Sequence, residues 1–311
     1  MNEGGVLRAF WHPVAYSTSV TDQPIAKRLL SEPIVLWRSK GQLSALHDLC
    51  VHRGTPLSLG WVTDEQLVCA YHGWHYGPDG ACTRIPSLPC ERGIPVKARV
   101  TAYQVKERYG LVWVCLGEPK TDIPEFPPEF DDLCHRQIDA FEGNFQANAA
   151  RFIENMMDRS HFPWVHEGYL GDRSHPQIAD VEIEPRDGGF RYLYRAERQT
   201  LYEVTLPFLI CYRPQYGPDS WLTYVFIASP LNNREMVSFG WVFSNVQDGL
   251  GDAQIRDRTR AVYEQDRRVV EAQRPEELPL DLSEELHLRG PDAAAVEYRR
   301  RLRDLGVVWT H

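Results

Sequence analysis

Two closely spaced cysteine–histidine pairs are the residues best suited to chemistry in the first third of the chain. One residue separates Cys50 from His52, two separate Cys69 from His72, and sixteen lie between the pairs. Turns and apolar residues around them predict that each pair lies in a loop at the tip of a hairpin. Two thiolates and two imidazoles can bind zinc, or a [2Fe–2S] cluster with both thiolates on one iron and both imidazoles on the other. Because each loop mixes the two ligand types, the spacing favours the cluster.

A second group of possible metal ligands lies near the middle of the chain. The apolar spacing of residues 146–162 predicts a helix that Pro163 ends. On that helix Asp158 and His161 would share one face, and His166 follows beyond the proline. Two histidines and one carboxylate are the ligand set of non-heme Fe(II) oxygenases. Either histidine alone would be an ordinary residue at a helix end, but together they predict a metal site.

The carboxylate of this site is sought on a second predicted helix, 252–273. Asp266 falls on the apolar stripe of that helix, and a carboxylate on a buried face is costly unless it is paired or binds a metal. The alternative is a buried ion pair with an arginine such as Arg159. The stripe consists of Ile255, Thr259, Val262, Val269 and Val270.

Length and composition restrict the class of protein. The 311 residues are 43% hydrophobic and 25% charged, which suits a globular protein of two domains or of one large domain. A net charge of −9 disfavours nucleic acid or an anionic membrane as partner, and the chain shows neither a membrane span nor a secretory signal. The cysteines outside the two pairs are expected to be reduced thiols of a cytoplasmic protein, with a disulfide between the first two as the less favoured alternative. They are Cys82, Cys90, Cys115, Cys134 and Cys211.

The order of predicted elements divides the chain into two domains. Short strands separated by turns fill residues 1–118, which predicts an all-β domain that carries the cysteine–histidine pairs. Residues 119–140 begin with four prolines in ten residues and are expected to form a stiff linker. Residues 141–311 combine the first helix, five strands between 181 and 245, and two later helices. The expected fold class is therefore α+β, with a helix gripped by an antiparallel sheet in the second domain.

The two motifs together resemble those of the Rieske non-heme iron oxygenases. The cluster motif is Cys50-x-His52 and Cys69-x-x-His72 followed by Gly73-Trp74, and the catalytic motif is Asn155-x-x-Asp158-x-x-His161 with His166 and the distal Asp266. The resemblance implies a Rieske [2Fe–2S] domain followed by a helix-grip catalytic domain. It implies that the cluster is bound by Cys50, His52, Cys69 and His72. It also implies that a mononuclear Fe(II), which uses O2 as cosubstrate, is bound by His161, His166 and Asp266.

The same resemblance implies a catalytic role for Asp158 and a set of protein partners. Asp158 would join the cluster ligand His72 to the iron ligand His161 by hydrogen bonds, between neighbouring subunits of a homotrimer. Because the chain contains no G-x-G-x-x-G fingerprint, NAD(P)H would be oxidised by a separate flavin reductase, directly or through a ferredoxin. A ferredoxin could dock on a basic group that is equally well explained as a solvated surface: Arg92, Lys97, Arg99, Lys106 and Arg108.

The reaction is less narrowly indicated than the cofactors. The single chain looks like the α-subunit-only branch of the family, which includes vanillate- and dicamba-type O-demethylases and saxitoxin-type alkaloid hydroxylases. The stretches ERYGLVWVCL and SHFPWVHEGYLGD look closest to the latter, which favours hydroxylation of a C–H bond in a natural product. Oxidative O- or N-demethylation is the runner-up, aromatic cis-dihydroxylation is third, and a Rieske electron carrier or a zinc-binding structural protein would leave the second motif unexplained. The expected pocket residues are Phe208, Tyr212, Phe226, Trp241 and Phe243.

Overall fold

A computed structural model describes residues 4–89, 91–196, 198–246 and 251–309. The chain forms two compact units, one of Arg8–Ile123 and one of Pro124–His311 together with the residues that precede Arg8. Six cysteines are free thiols. Cys90, one partner of the disulfide considered above, lies outside the described residues.

The first unit contains three small antiparallel sheets. Their orders are β1-β10-β9, β2-β3-β4 and β5-β6-β7-β8. The strands are β1 (His12–Tyr16), β2 (Ile25–Leu29), β3 (Glu32–Ser39), β4 (Gln42–His47), β5 (Trp61–Thr63), β6 (Gln66–Val68), β7 (His75–Tyr76), β8 (Cys82–Arg84), β9 (Gln104–Arg108) and β10 (Leu111–Cys115). The domain is all-β, as its alternating short apolar runs predicted.

The two cysteine–histidine loops connect the strands of this unit in different ways. The second loop joins β6 to β7, which pair with each other, so it lies at the tip of a hairpin. The first loop follows β4 and precedes β5, and these strands belong to different sheets because β4 pairs with β3 while β5 pairs with β6. The prediction of two hairpin tips is therefore wrong for the first loop, which instead crosses between sheets.

The second unit is built on one sheet of seven antiparallel strands. Its order is β11-β17-β16-β15-β14-β13-β12. The strands are β11 (Arg136–Phe145), β12 (Ile183–Arg186), β13 (Gly189–Tyr194), β14 (Thr200–Thr205), β15 (Leu209–Gly217), β16 (Ser220–Pro230) and β17 (Met236–Ser244). The sequence predicted five of them and missed β11 and β15. Strand β15 contains Pro214 and the charged Arg213, which obscure its pattern.

The segment 119–140 is more than a spacer between the units. It includes the first half of β11, and Phe126, Glu129 and Ile138 are buried. The Glu129 carboxylate accepts hydrogen bonds from Arg213 on β15 and from Thr223 on β16. These contacts attach the proline-rich segment to the sheet, and the second unit accordingly begins at Pro124.

In the described part of the second unit, four α-helices accompany this sheet. They are α1 (Ala149–Met157), α2 (Phe162–Val165), α3 (Asp252–Val270) and α4 (Ala293–Leu305). Helix α1 packs on β15 and β16, and α3 packs on β11. Buried Arg299 of α4 donates from Nε and Nη2 to the Glu154 carboxylate of α1, both at 2.6 Å. The predicted α+β architecture of helices on an antiparallel sheet is confirmed.

The predicted helix 146–162 is two helices. Asn148 caps the first, its side-chain oxygen accepting from the Ala150 N–H, and Asp158 ends it with an extended backbone at φ −76° and ψ 140°. Pro163 lies in the first turn of α2 rather than at the end of α1. A proline is tolerated there because the first N–H groups of a helix have no intrahelical partner. Within the described residues, no helix is long and apolar enough to cross a membrane.

Candidate active site

The two ends of α2 and the middle of α3 bring three possible metal ligands together. His161 caps the start of α2, His166 caps its end, and Asp266 lies on the buried face of α3. The Nε2 atoms of the two histidines are 3.2 Å apart. Asp266 Oδ1 lies 3.3 Å from His161 Nε2 and 3.0 Å from His166 Nε2. His166 is fully buried and Asp266 is 3% exposed.

The other ring nitrogen of each histidine is held by a side chain from the surrounding structure. His161 Nδ1 lies 2.8 Å from Asp158 Oδ2, and His166 Nδ1 lies 2.8 Å from Gln265 Oε1. Both partners are acceptors, so each Nδ1 carries the proton and each Nε2 presents a lone pair. Metal-binding histidines characteristically donate their second N–H in this way, which fixes the tautomer and the ring orientation.

This arrangement fits a cation at the point where the three ligand atoms meet. Two Nε2 lone pairs and a carboxylate oxygen repel one another unless a positive charge lies between them, and Asp266 Oδ1 is buried without a hydrogen-bond donor. Burial lowers the pKa of His161, but the adjacent carboxylates of Asp158 and Asp266 outweigh it and, with no metal between the ligands, raise the pKa to about 9. Burial raises the pKa of Asp266, and the two histidines bring it below its usual value. The site therefore favours positive charge, and its donor set suits Fe(II).

The position of His161 depends on a turn formed by Asp158. Asp158 Oδ1 accepts from the backbone N–H of Ser160 at 2.9 Å, and Oδ2 accepts from the backbone N–H of His161 at 3.1 Å. Aspartate side chains commonly bond to nearby backbone in this way and compete with helix continuation. The prediction that Asp158 and His161 share a helix face is therefore wrong, although the contact that it implied is present through the turn.

The buried face of α3 differs from the predicted stripe. Val269 is 40% exposed and Val262 is only half-buried, whereas Tyr263, which was not predicted, is buried. Spacings of three and four residues along the helix produce this face. It consists of Ile255, Thr259, Tyr263, Asp266 and Val270. The alternative partner of Asp266, Arg159, instead donates from Nη1 to Tyr202 Oη at 3.2 Å and to Thr200 Oγ1 at 3.4 Å.

The two cysteine–histidine loops contain the same kind of backbone turn, closed by a hydrogen bond from a glycine N–H to the cysteine carbonyl. The Gly54 N–H donates to the Cys50 carbonyl at 2.8 Å, and the Gly73 N–H donates to the Cys69 carbonyl at 3.0 Å. Both glycines have positive φ, 69° and 66°, a conformation that side chains disfavour. In each tight turn the cysteine is buried, whereas His52 is half-buried and His72 is exposed.

The side chains of these loops form a thiol pair and an imidazole pair. Cys50 and Cys69 are buried, and the His52 and His72 rings have centroids 4.5 Å apart. The Trp74 ring stacks on His52 at 4.6 Å, and His52 Nδ1 is buried without a hydrogen-bond partner. An orphaned ring nitrogen costs free energy unless it has a ligand. The pairing of like ligands suits the two irons of a Rieske cluster better than a single zinc ion.

Two features tune the cysteine sulfurs. The hydroxyl of buried Tyr76 lies 3.0 Å from Cys50 Sγ. Burial raises the pKa of the Cys69 thiol, while the backbone N–H groups of Tyr71 and His72 lower it in part. Hydrogen bonds to the sulfurs are among the factors that set the potential of an iron–sulfur cluster. None of these donors was identified from the sequence.

A cavity of about 750 Å³ adjoins the triad in the second unit. Asp266 lies in its wall, so the triad borders the space in which a substrate would bind. The size is typical of small-molecule sites. Aromatic and cationic side chains dominate the wall nearest α2 and the sheet, among them Arg159, Phe162, Tyr194, Tyr202, Tyr212 and Phe226.

Only two of the five predicted pocket residues line this cavity, Tyr212 and Phe226. Trp241 and Phe243 lie on the opposite face of β17, because the positions paired with Phe226 and Tyr224 are Gly240 and Val242. Their rings pack against aromatic side chains of the proline-rich segment. Phe208 is buried in the core. The sequence showed aromatic residues in strands but not which face each would occupy.

The basic group predicted as a docking surface is partly neutralised. Arg99 pairs with Asp79 at 3.2 Å, and Lys106 pairs with Asp122 at 2.7 Å. These exposed ion pairs reduce the positive potential that an acidic ferredoxin would meet.

Comparisons with known proteins agree with this geometry. Residues 10–104 match the family model described as the Rieske [2Fe-2S] domain. Residues 145–229 and 197–307 match the vanillate O-demethylase oxygenase C-terminal domain. The two matches cover both of the regions that carry the predicted ligand groups.

The chain is also similar over nearly its whole length to individual proteins. Methylxanthine N1-demethylase NdmA of Pseudomonas putida is 31% identical over 98% of this chain and 90% of its own length, and N3-demethylase NdmB of the same organism is 28% identical over 97% and 90%. The NdmA structure with caffeine superposes with a TM-score of 0.87 at 30% identity, over 97% of this chain and 92% of that one. Dicamba monooxygenase bound to dicamba shares the fold, with a TM-score of 0.79 at 22% identity over 96% and 97% of the two chains. This chain therefore belongs to the Rieske non-heme iron oxygenases, as a monooxygenase whose cofactors are a [2Fe–2S] cluster and a mononuclear non-heme iron.

Proposed function

We propose that this protein is an oxidative demethylase that hydroxylates a methyl group bonded to nitrogen or oxygen in a small organic molecule. The observation that carries the proposal is the buried group of His161, His166 and Asp266, of which Asp266 lines a cavity of about 750 Å³. The relatives matched over the whole chain are N-demethylases by name, which supports demethylation over the natural-product hydroxylation that the sequence favoured.

The ligand roles follow from the contacts of each side chain. His161, His166 and Asp266 would hold the mononuclear iron, which supplies O2 activation when bound. Asp158 and Gln265 keep the proton on Nδ1 of the two histidines, so that each Nε2 remains available as a ligand. The aromatic wall of the cavity holds the substrate and excludes water from the ligand face.

The first unit carries the residues that would bind the cluster and deliver electrons. Cys50, Cys69, His52 and His72 would hold the Rieske cluster, which supplies electrons one at a time when bound. A Cys50 thiolate bound to the cluster can only accept, so the Tyr76 hydroxyl, 3.0 Å from Cys50 Sγ, would donate to it and stabilise added negative charge on the sulfur. Within the chain no nucleotide-binding fingerprint accompanies these sites, so we propose that a separate reductase, with or without a ferredoxin, supplies two electrons per turnover.

The chemistry of the proposed reaction balances as a monooxygenation. One oxygen atom of O2 is inserted into a C–H bond of the methyl group, and the other leaves as water after two electrons and two protons are added. A hydroxymethyl group on nitrogen or oxygen then breaks its bond to that heteroatom. The proton of the hydroxyl passes to the heteroatom, and the carbon is released as formaldehyde.

The first prediction concerns this product. The holoprotein, supplied with electrons by a flavin reductase and a ferredoxin, is incubated with a panel of N-methyl and O-methyl aromatic compounds, and product mass and formaldehyde are measured. We expect loss of CH2 with one formaldehyde per turnover. A gain of one oxygen without formaldehyde would replace the proposal with hydroxylation, and a gain of two hydroxyl groups would replace it with cis-dihydroxylation.

The second prediction concerns Gln265, which the sequence analysis missed although it precedes Asp266. Gln265→Leu removes the acceptor for His166 Nδ1–H, and we expect the affinity for the mononuclear iron to fall by roughly 10–100-fold. Iron retained against a graded series of chelators measures this, with the visible absorption of the cluster as an internal reference. Glu264→Leu, on the exposed side of the same turn, is the matched control. Equal iron retention in the two variants would contradict the role of Gln265.

The third prediction concerns Asp158 and the assembly. We propose a homotrimer, with a mass three times the 35.8 kDa of the chain, in which Asp158 connects the cluster of one subunit to the iron site of its neighbour. Asp158→Asn keeps an oxygen that can accept from His161 Nδ1, so both metals should remain bound while turnover falls by roughly 10–100-fold.

Mixed oligomers test the connection between subunits. Cys69→Ser should lack the cluster and Asp266→Ala should lack the mononuclear iron, so neither variant is active alone. Co-expressed subunits should regain part of the activity, because the cluster of one variant can serve the iron site of the other. A monomeric mass, full activity of Asp158→Asn, or no recovery in verified mixed trimers would refute the assignment.

A further inference from the structure

The charge of the cavity wall contrasts with the acidity of the chain. Three arginines line the cavity, Arg159, Arg198 and Arg258. No ion pair joins any of them to a carboxylate within the part of the chain that the structure describes. Elsewhere in the same unit, Arg213 and Arg299 each pair with two carboxylates. In a protein with a net charge of −9, unpaired arginines around a cavity indicate a local preference for negative charge.

Arg159 is half-buried and lies among aromatic rings of the cavity wall. Its guanidinium lies over the Tyr194 ring at 4.5 Å and over the Phe162 ring at 4.7 Å. Its hydrogen bonds run from Nη1 to neutral hydroxyls of Tyr202 and Thr200, and Nε is buried without a partner. Arginine carries five N–H donors in a planar fork that matches a carboxylate. Holding this charge away from water is costly unless an anion compensates it.

The wall that supports Arg159 is rigid. Tyr192, Tyr202, Tyr212 and Tyr224 occupy directly paired positions on four adjacent strands. Their rings stack in sequence, with centroids 4.7, 5.5 and 4.8 Å apart. The Tyr192 hydroxyl donates to the Met157 carbonyl at 2.8 Å, which fixes the ladder to the end of α1, two residues before Arg159. The guanidinium is thus held in place before any ligand binds.

The other charged groups of the cavity do not neutralise Arg159. Asp266 is committed to the two histidines, and Asp172 accepts from Ser174 and His175. Arg198 is exposed and lies over the Tyr216 ring at 3.9 Å. Arg258 is half-buried and donates to the Tyr169 carbonyl. Positive charge therefore remains along the cavity wall, at the exposed Arg198 and at the half-buried Arg258 and Arg159.

We propose that Arg159 determines substrate specificity by binding a carboxylate on a planar, aromatic substrate. The aromatic rings around Arg159 would contact the body of the substrate while the guanidinium fork accepts its anionic end. Because Arg159 and Asp266 line the same cavity, an anchored substrate presents its other end to the triad. The inference rests on the proposed function for the identity of that triad, but anion binding itself requires no turnover.

Binding of matched acids and amides tests this assignment. The reduced holoprotein is titrated calorimetrically under anaerobic conditions with 4-methoxybenzoate and 4-methoxybenzamide, and with 6-methoxy-2-naphthoate and its amide. Each pair shares shape and differs in charge. We expect each acid that binds to do so about 10–100-fold more tightly than its amide, as suits charge-assisted hydrogen bonds.

Variants of Arg159 separate recognition from folding. Arg159→Met should bring acid and amide to equal affinity, whereas Arg159→Lys should keep part of the preference because it keeps the charge. Arg191→Met is the control, since Arg191 pairs with Glu184 on the exposed side of the sheet and does not line the cavity. Equal binding of acid and amide by the unaltered protein, binding of neither in both pairs, or an unchanged preference in Arg159→Met would overturn the inference. Metal content and O2 uptake, measured in parallel, report separately on the proposed function.

Discussion

The catalytic unit depends on the hydrogen bonds that the Asp158 carboxylate accepts. It ends α1, accepts the backbone N–H groups of Ser160 and His161, and accepts the His161 side-chain N–H. A continuous helix would carry His161 and His166 to different sides, because residues five apart on a helix differ by more than a quarter turn. The break after Met157 allows a second short helix to begin at a new angle. Both histidines then present Nε2 to one point.

The proposed third ligand, Asp266, reaches that point because contacts with the sheet hold α3 in place. Tyr263 of α3 packs on Gly143 of β11, where a Cβ atom would collide with the tyrosine ring, and its hydroxyl contacts Ser238 of β17. With the helix fixed, Asp266 faces the histidines and the preceding Gln265 reaches His166. One turn of α3 thus supplies a ligand and the residue that orients another ligand. Such supporting contacts limit how far a metal site can deform.

The sequence predicted the chemistry better than the geometry. Ligand groups were visible because the residue types and spacing of Cys50, His52, Cys69 and His72 have few uses other than metal binding. Asp266 was found because a carboxylate on a buried helix face is costly unless it is paired or binds a metal. The helix break at Asp158 was missed because helical periodicity continues across it, and local side-chain bonding decides the break. The register that turns Trp241 and Phe243 away from the cavity depends on pairing with β16, which periodicity within a single strand does not specify.

The central claim is that two separate metal centres, one of them held by Asp266, occupy this chain. Iron, acid-labile sulfide and zinc are measured per chain in the protein as isolated, in Asp266→Ala, and in Asp257→Ala as an exposed control on the same helix. We expect the cluster irons with their sulfides and visible absorption in all three proteins, and one further iron in all but Asp266→Ala. A colourless protein with stoichiometric zinc, or an undiminished iron content in Asp266→Ala, would contradict the account.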